Sequence, residues 1–287
     1  DGELRDPFKK LTTVFQMSEE IFFLHYGKDG CNRHVLIDEC RELFGEIYEQ
    51  IPELPFCNIW TAMPLSSRLP KGALFHMGVS NTRRCWNMFQ LPESVESACN
   101  VGCCGIDGCV STLVGASLVN PDRLCYVVVG DLTFFYDLNS LGNHHIGTNL
   151  RVMLVNNGRG TEFRLGIHHC NVFGDDADKY MAAAGHFGNK SPLLVKHYAE
   201  DLGFHYLSAT TKEEFMTALS NFTNPQLSDH SMILEVFTDS KDESEALYLM
   251  SHIQSDAKGM VRSKLKDAVR NVAGEKGINA IKKILKK

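Results

Sequence analysis

No apolar stretch in this chain is long enough to cross a membrane as a helix, and the first residues, Asp1-Gly-Glu-Leu-Arg-Asp-Pro7, lack the layout of a secretion signal. A cytoplasmic location is therefore expected. Internal repeats and low-complexity segments are absent, which excludes a repeat architecture. A basic body is missing as well. Residues 256–287 carry ten Lys or Arg against Asp256, Asp267 and Glu275, so the formal charge of −6 hides a tail of +7 on a body of −13. An acidic body excludes nucleic acid as the expected partner. Cysteine is not scarce, at ten, but paired Cys-x-x-Cys spacing is. Many of the cysteines sit inside apolar runs, so they read as reduced thiols and not as a disulfide framework. Cys99, Cys103, Cys104 and Cys109 form the one cluster that invites a metal, yet two adjacent cysteines suit zinc poorly, and pocket-lining thiols are the simpler reading. His144-His145 and His168-His169 read as loop histidines.

With 287 residues, 44% hydrophobic and 22% charged, the chain can form one large α/β domain with appendages. From Gly72 to Phe237, apolar strands near 73–77, 97–101, 124–129, 151–155, 204–208 and 231–237 alternate with helical patterns at 80–90, 108–119, 132–141, 191–202 and 211–222. Such alternation predicts a mostly parallel sheet with helices on both faces, a three-layer α/β sandwich. Before it, a helix is expected from Ser18 to Tyr26. A second carries Leu36, Cys40, Leu43 and Ile47 on one apolar face, and a third spans Phe56 to Leu69. The expected division is 1–71, the end of a preceding domain with a helical linker; 72–255, the main domain; and 256–287, a basic amphipathic helical extension. The tail reads as packing on the protein's own acidic body, with docking on a membrane surface as the alternative. The chain starts at Asp1, which reads as a fragment.

Two runs end in paired polar residues. Leu124-Cys-Tyr-Val-Val-Val129 leads into Gly130-Asp131, and Arg151-Val-Met-Leu-Val155 leads into Asn156-Asn157. Short, β-branched runs read as strands buried on both faces, and ligands of such sheets sit at the strands' C-terminal ends. Asp131 and the Asn157 amide are hard oxygen donors of the kind magnesium takes together with phosphates. The glycines at 158 and 160 allow the chain to fold closely, so that a carbonyl near Arg159 supplies a third oxygen. Asp107 reads as a helix cap.

The 26-residue spacing from Asp131 to Asn157 is that of the diphosphate-binding signature of thiamine diphosphate enzymes. Further, Asn100-Val-Gly-Cys-Cys-Gly-Ile-Asp-Gly108, Ser111-Thr112, Gly130 through Leu141 and Asn156 through Phe163 resemble the 2-succinyl-5-enolpyruvyl-6-hydroxy-3-cyclohexene-1-carboxylate synthases of menaquinone biosynthesis. The resemblance covers roughly residues 72–253, that family's C-terminal cofactor-binding domain. It implies thiamine diphosphate and Mg2+ as cofactors, with the ion held by Asp131, Asn157 and the Arg159 carbonyl. Gly105, Gly130, Leu132, Thr133 and Gly160 then line the cofactor, and Ile106 props thiamine in its bent form. Ser80, Arg84 and Phe163 are implied for substrate, with Arg84 as a fork for the carboxylate of an acidic 2-oxo acid such as 2-oxoglutarate. Two departures oppose that donor. Val101 replaces an Arg of the family, and Glu162 brings a carboxylate where the family is aliphatic.

The resemblance also implies partners: a 2-oxo acid, an acceptor, and an N-terminal pyrimidine-binding domain, from the same gene or a separate chain, whose Glu activates the cofactor. No catalytic residue is assigned in this chain. A homodimer or tetramer is implied, because the family's active sites lie between subunits. The expected function is the cofactor-binding part of a synthase that decarboxylates a 2-oxo acid and adds the carbanion to an acceptor. The alternatives are another thiamine diphosphate-dependent decarboxylase or carboligase, or a non-catalytic cofactor-binding half. A cysteine-ligated metal protein ranks last.

Overall fold

Strands form where β-branched and aromatic residues run together between turn residues, and six of them make one sheet. In the computed structural model, which describes residues 4–27, 35–166, 168–181 and 191–253, these are β1 (Leu74–Met77), β2 (Glu96–Cys99), β3 (Cys125–Gly130), β4 (Leu150–Asn156), β5 (His205–Ala209) and β6 (Met232–Phe237). All pairings are parallel, in the order β2-β1-β3-β4-β6-β5. Each coincides with an expected strand, and the fold class is the expected three-layer α/β sandwich. The expected tail, 256–287, lies outside the described residues.

Alternate residues of the central strands feed two cores. Cys125, Val127 and Val129 of β3 join Leu150, Val152 and Leu154 of β4 in a cluster with Cys109, Val110 and Leu113 of α5 (Cys109–Val119) and Val195 of α7 (Leu194–Asp201). On the other face Tyr126 packs edge-on against Phe222 of α8 (Lys212–Phe222), ring centroids 5.5 Å apart, and its hydroxyl donates to the Phe222 carbonyl at 3.2 Å. Burial on both faces is why β3 and β4 read as continuous apolar runs. The edge strands β2 and β5 are more exposed.

The chain divides into two compact units, one ending at Gln50 and one beginning at Ile51. The first contains α1 (Glu19–Tyr26), which begins where expected with its N-terminus capped by the Ser18 hydroxyl, and α2 (Val35–Glu49). Phe15, Phe22 and Tyr26 cluster in it, with the Phe22 and Tyr26 rings 4.9 Å apart. The second unit takes in α3 (Asn58–Ser66), grouped by sequence with the linker but packed here on α4 (Asn81–Trp86) and α9 (Ser240–Ser251).

Several helices are shorter than their patterns suggest, among them α3 and α7. The expected 80–90 helix is α4 alone. The 132–141 segment breaks into α6 (Asp131–Tyr136) and a 3-10 turn, Leu138–Gly142. Helix α9 was not expected. Its buried face is built from Glu243, Ala246 and Leu247, so an acid occupies a core position and hides the apolar period.

Phe134 of α6 is fully buried in the α5-side cluster. Phe134→Ala is expected to lower the unfolding free energy by about 3–5 kcal/mol, through lost burial and an unfilled cavity, as read by urea denaturation.

Candidate functional site

From β1 the chain crosses to β2 on one side, whereas from β3 it crosses to β4 on the other. The crevice between the C-terminal ends of β1 and β3 is thus a topological switch point, where open α/β sheets bind ligands. A cleft of about 220 Å³ opens there. Gly130, Asp131, Leu132 and Thr133 reach it from the end of β3, and Asn157, Arg159, Gly160 and Phe163 from beyond β4. Ser80 comes from beyond β1 and Ile106 from the loop after β2. These ten of the expected site residues are brought together. Gly105 and Arg84 do not line the cleft.

Local chemistry explains the placement. Asp131 is the first residue of α6, is 2% exposed, and accepts the Leu132 N–H at 2.8 Å through Oδ1. Asn157 precedes Gly158, whose φ of +82° is open to glycine and strained for other residues. The Asn157 amide oxygen accepts a long bond, 3.4 Å, from the Arg159 N–H. Just after β1 a Cβ on Gly78 would stand 3.2 Å from the Val128 carbonyl, so the close approach of the chain to β3 under the cleft favours a glycine.

Asp107 is not the cap of α5. Gly108, with φ +95°, occupies the cap position without a side-chain bond, and the Asp137 carboxylate accepts the Ser111 N–H at 2.6 Å from beyond α6. Proximity in sequence favoured Asp107; the fold brings Asp137 over the helix start.

Arg84 faces a partner that sequence spacing could not reveal. Its guanidinium donates to both Glu162 oxygens, at 2.8 and 2.9 Å, across 78 residues. The carboxylate that Glu162 brings is thus paired within the chain, and Glu162 in turn pushes the Arg84 pKa up. Val101 is exposed and lies outside the lining.

Sequence reasoning missed three groups here. Asn58 lines the cleft from α3, and its side-chain oxygen accepts the Trp86 indole N–H at 2.9 Å. Thr161 lines it too, with its hydroxyl buried and, among the described residues, without a hydrogen-bond partner. Behind Asn58 lies Glu243, fully buried. One carboxylate oxygen accepts the Asn58 N–H and the Thr238 hydroxyl, each at 2.9 Å, and the other has no partner among the described residues. Burial pushes its pKa to about 7 against those two bonds, with the Asp242 and Asp131 charges adding to the rise. No signal in the sequence distinguishes Glu243 from its acidic neighbours Asp242 and Glu245.

The nine described cysteines are free, as expected. Cys109 is buried, Cys103 and Cys104 are exposed, and Cys104 touches the cleft. Among the described residues, no three His, Cys, Asp or Glu side chains are grouped to hold a metal ion, so the cysteine-metal alternative has no site there. The His144 and His145 rings are in contact, centroids 3.8 Å apart and tilted by 42°, and His168 Nδ1 accepts the Cys170 N–H. No described helix is long and apolar enough to cross a membrane.

No protein-family model matches the chain. Among curated proteins, a 2-succinyl-5-enolpyruvyl-6-hydroxy-3-cyclohexene-1-carboxylate synthase of Bacteroides fragilis is 32% identical over 253 residues, covering 86% of this chain and 43% of the relative. The chain resembles these synthases. The synthase of Phocaeicola vulgatus is likewise 32% identical, over 255 residues, 86% of this chain and 42% of that protein. That of Christiangramia forsetii is 33% identical over 199 residues, 69% and 33% of the two chains. The chain thus spans less than half the length of the synthases it matches. The match covers most of this chain's own length, so the synthase likeness extends well beyond the few residues at the cleft.

Glu243 generates a pH test. Its folded pKa of about 7 exceeds the ordinary 4.5, so the folded state holds the proton more tightly and stability falls as pH rises between those values. Relative to Glu243→Gln, which mimics the protonated form, the wild type is expected to lose on the order of 3 kcal/mol across that window in urea unfolding. Parallel pH profiles would show that the buried carboxyl does not govern it.

Proposed function

We propose that this chain is the cofactor-binding part of a thiamine diphosphate-dependent synthase like its curated relatives, decarboxylating a 2-oxo acid and adding the resulting carbanion to an acceptor. The observation that carries the reading is the convergence of Asp131 and Asn157 on one cleft at the β1/β3 switch point. The donor set fits magnesium: a buried carboxylate, an amide oxygen that accepts a long bond, and the backbone carbonyl of Arg159 are all hard oxygens. The orphaned Thr161 hydroxyl on the same wall suits a polar ligand.

On this reading Asp131, Asn157 and the Arg159 carbonyl hold Mg2+, and Gly130, Leu132, Thr133 and Gly160 present backbone to the diphosphate. Ile106 supports the thiamine ring from the side, with Gly105 in the same loop. Ser80 and Phe163 contact the 2-oxo acid. When bound, thiamine diphosphate supplies an electron sink for the carbanion left by decarboxylation. The chain's own groups bind it, orient it and keep water from its reactive face. A pyrimidine-binding domain supplying an acidic group, and assembly into a dimer or tetramer, belong to the same proposal.

A second reading keeps the cofactor and changes the donor. Because Glu162 already fills the Arg84 fork, a dicarboxylic donor has to displace it, whereas a 2-oxo acid with a neutral side chain does not. Product analysis of the full-length protein supplied with isochorismate and either 2-oxoglutarate or a monocarboxylic 2-oxo acid separates the two.

In the full-length protein, Asp131→Ala is expected to weaken Mg2+-dependent thiamine diphosphate binding at least about 100-fold, since it removes the one charged ligand of the set, as measured by calorimetry. Unchanged binding would remove the site.

A further inference from the structure

Glu235 lies on β6, one strand in from the edge of the sheet, 1% exposed, among β6 residues that are otherwise apolar. Both of its carboxylate oxygens are engaged. Asn156 Nδ2 on β4 donates to Oε1 at 2.7 Å, and the Tyr206 hydroxyl on β5 donates to Oε2 at 2.7 Å. Glu235 stands opposite Leu154 on one neighbour and Ser208 on the other. Asn156 is two residues beyond Leu154 and Tyr206 two before Ser208, so all three side chains share one face and form a diagonal across three strands, ending at the last residue of β4. The Asn156 carbonyl is held as well, accepting the Thr238 N–H at 3.1 Å. Asn157 follows immediately, and the left-handed turn at Gly158 comes next.

We infer that Glu235 is a positioning residue for the divalent-cation site, aiming Asn157 by clamping Asn156 from the sheet interior. The inference rests on the reading of Asp131 and Asn157 as cation ligands. Its physical basis is a mismatch between cost and packing. Burial of this carboxyl in the sheet is unfavourable, and desolvation pushes its pKa up against the two bonds it accepts, whereas filling the space alone needs no charge. A clamp explains what packing does not. Asn156 is the last β4 residue with bonds on both its side chain and its carbonyl, so any slack there moves the Asn157 amide oxygen directly. Groups that orient metal ligands from behind are worth about 10- to 100-fold in metal affinity.

The test uses the full-length protein and Mn2+ as the probe, titrated by electron paramagnetic resonance with and without thiamine diphosphate, alongside urea denaturation. Glu235→Leu is expected to weaken Mn2+ binding about 10-fold or more, and to lower the unfolding midpoint because it leaves the Asn156 Nδ2 and Tyr206 hydroxyl donors without their acceptor. Glu235→Gln, which can still accept from Asn156 and face Tyr206, is expected to restore affinity to within about 3-fold of wild type. Should Glu235→Leu not fold, Asn156→Ala removes the clamp at its other end and carries the same expected loss. Mn2+ affinity unchanged in the folded Leu or Ala variant overturns the inference, as does a Gln variant as weak as the Leu one, which would assign the effect to charge. Wild-type Mn2+ binding that is absent, or indifferent to Asp131→Ala, overturns the cation reading itself and this inference with it. Asp131-dependent binding indifferent to Glu235→Leu overturns the clamp alone.

Discussion

Burial of β3 and β4 on both faces is the constraint from which the rest follows. Every residue of Leu150–Asn156 is buried, as are Cys125–Val129, so the middle of the sheet excludes water and tolerates polar atoms only when they are paired. Polar side chains are therefore displaced toward the strand ends. At the N-terminal end of β4, Arg151 donates to the Thr148 and Leu150 carbonyls and to the Ser228 hydroxyl. At the C-terminal ends stand Asp131, Asn156 and Asn157. Since the strands run parallel, their C-terminal ends lie together, and the change of crossover direction between β1 and β3 leaves a gap there for the cleft.

Around that cleft the protein holds more buried acid than packing requires. Asp131, Glu243 and Glu235 are each at most 2% exposed, and Asp131 contributes to the raised pKa of Glu243. Each acid receives hydrogen bonds from a different element: Asp131 from the first turn of α6, Glu243 from α3 and the segment after β6, Glu235 from β4 and β5. The bonds tie the floor of the cleft to both sides of the sheet. At the rim, the Arg84–Glu162 pair is roughly a quarter exposed, so its contribution to stability is small, about 1 kcal/mol or less. Its consequence is chemical: Glu162 neutralises the Arg84 charge where a lone arginine would have attracted anions.

What was legible in the sequence follows the range of the interactions. The six strands were visible because β-branched runs bounded by Gly, Asn and Asp are local signals, and the helix beginning at Ser18 was visible for the same reason. Asp131 and Asn157 stood out because each ends such a run. Helix α9 escaped because Glu243 sits on its buried face, and α3 was assigned to the linker because nothing near it announces that Asn58 meets a carboxyl 185 residues away. Asp107 drew the capping role by adjacency, whereas Asp137 performs it across 26 residues.

By itself the sequence determined the alternation of strand and helix, the double burial of the central strands and the residue types at their ends, because backbone propensity, side-chain period and turn chemistry act over a few residues. Only the tertiary structure decided the strand order that opens the cleft, the pairing that occupies Arg84, and the Tyr206–Glu235–Asn156 diagonal. These depend on which distant segments share a boundary once water has been expelled from between them. In that dry boundary each buried charge or donor takes whatever partner the packing presents, and spacing along the chain does not specify which.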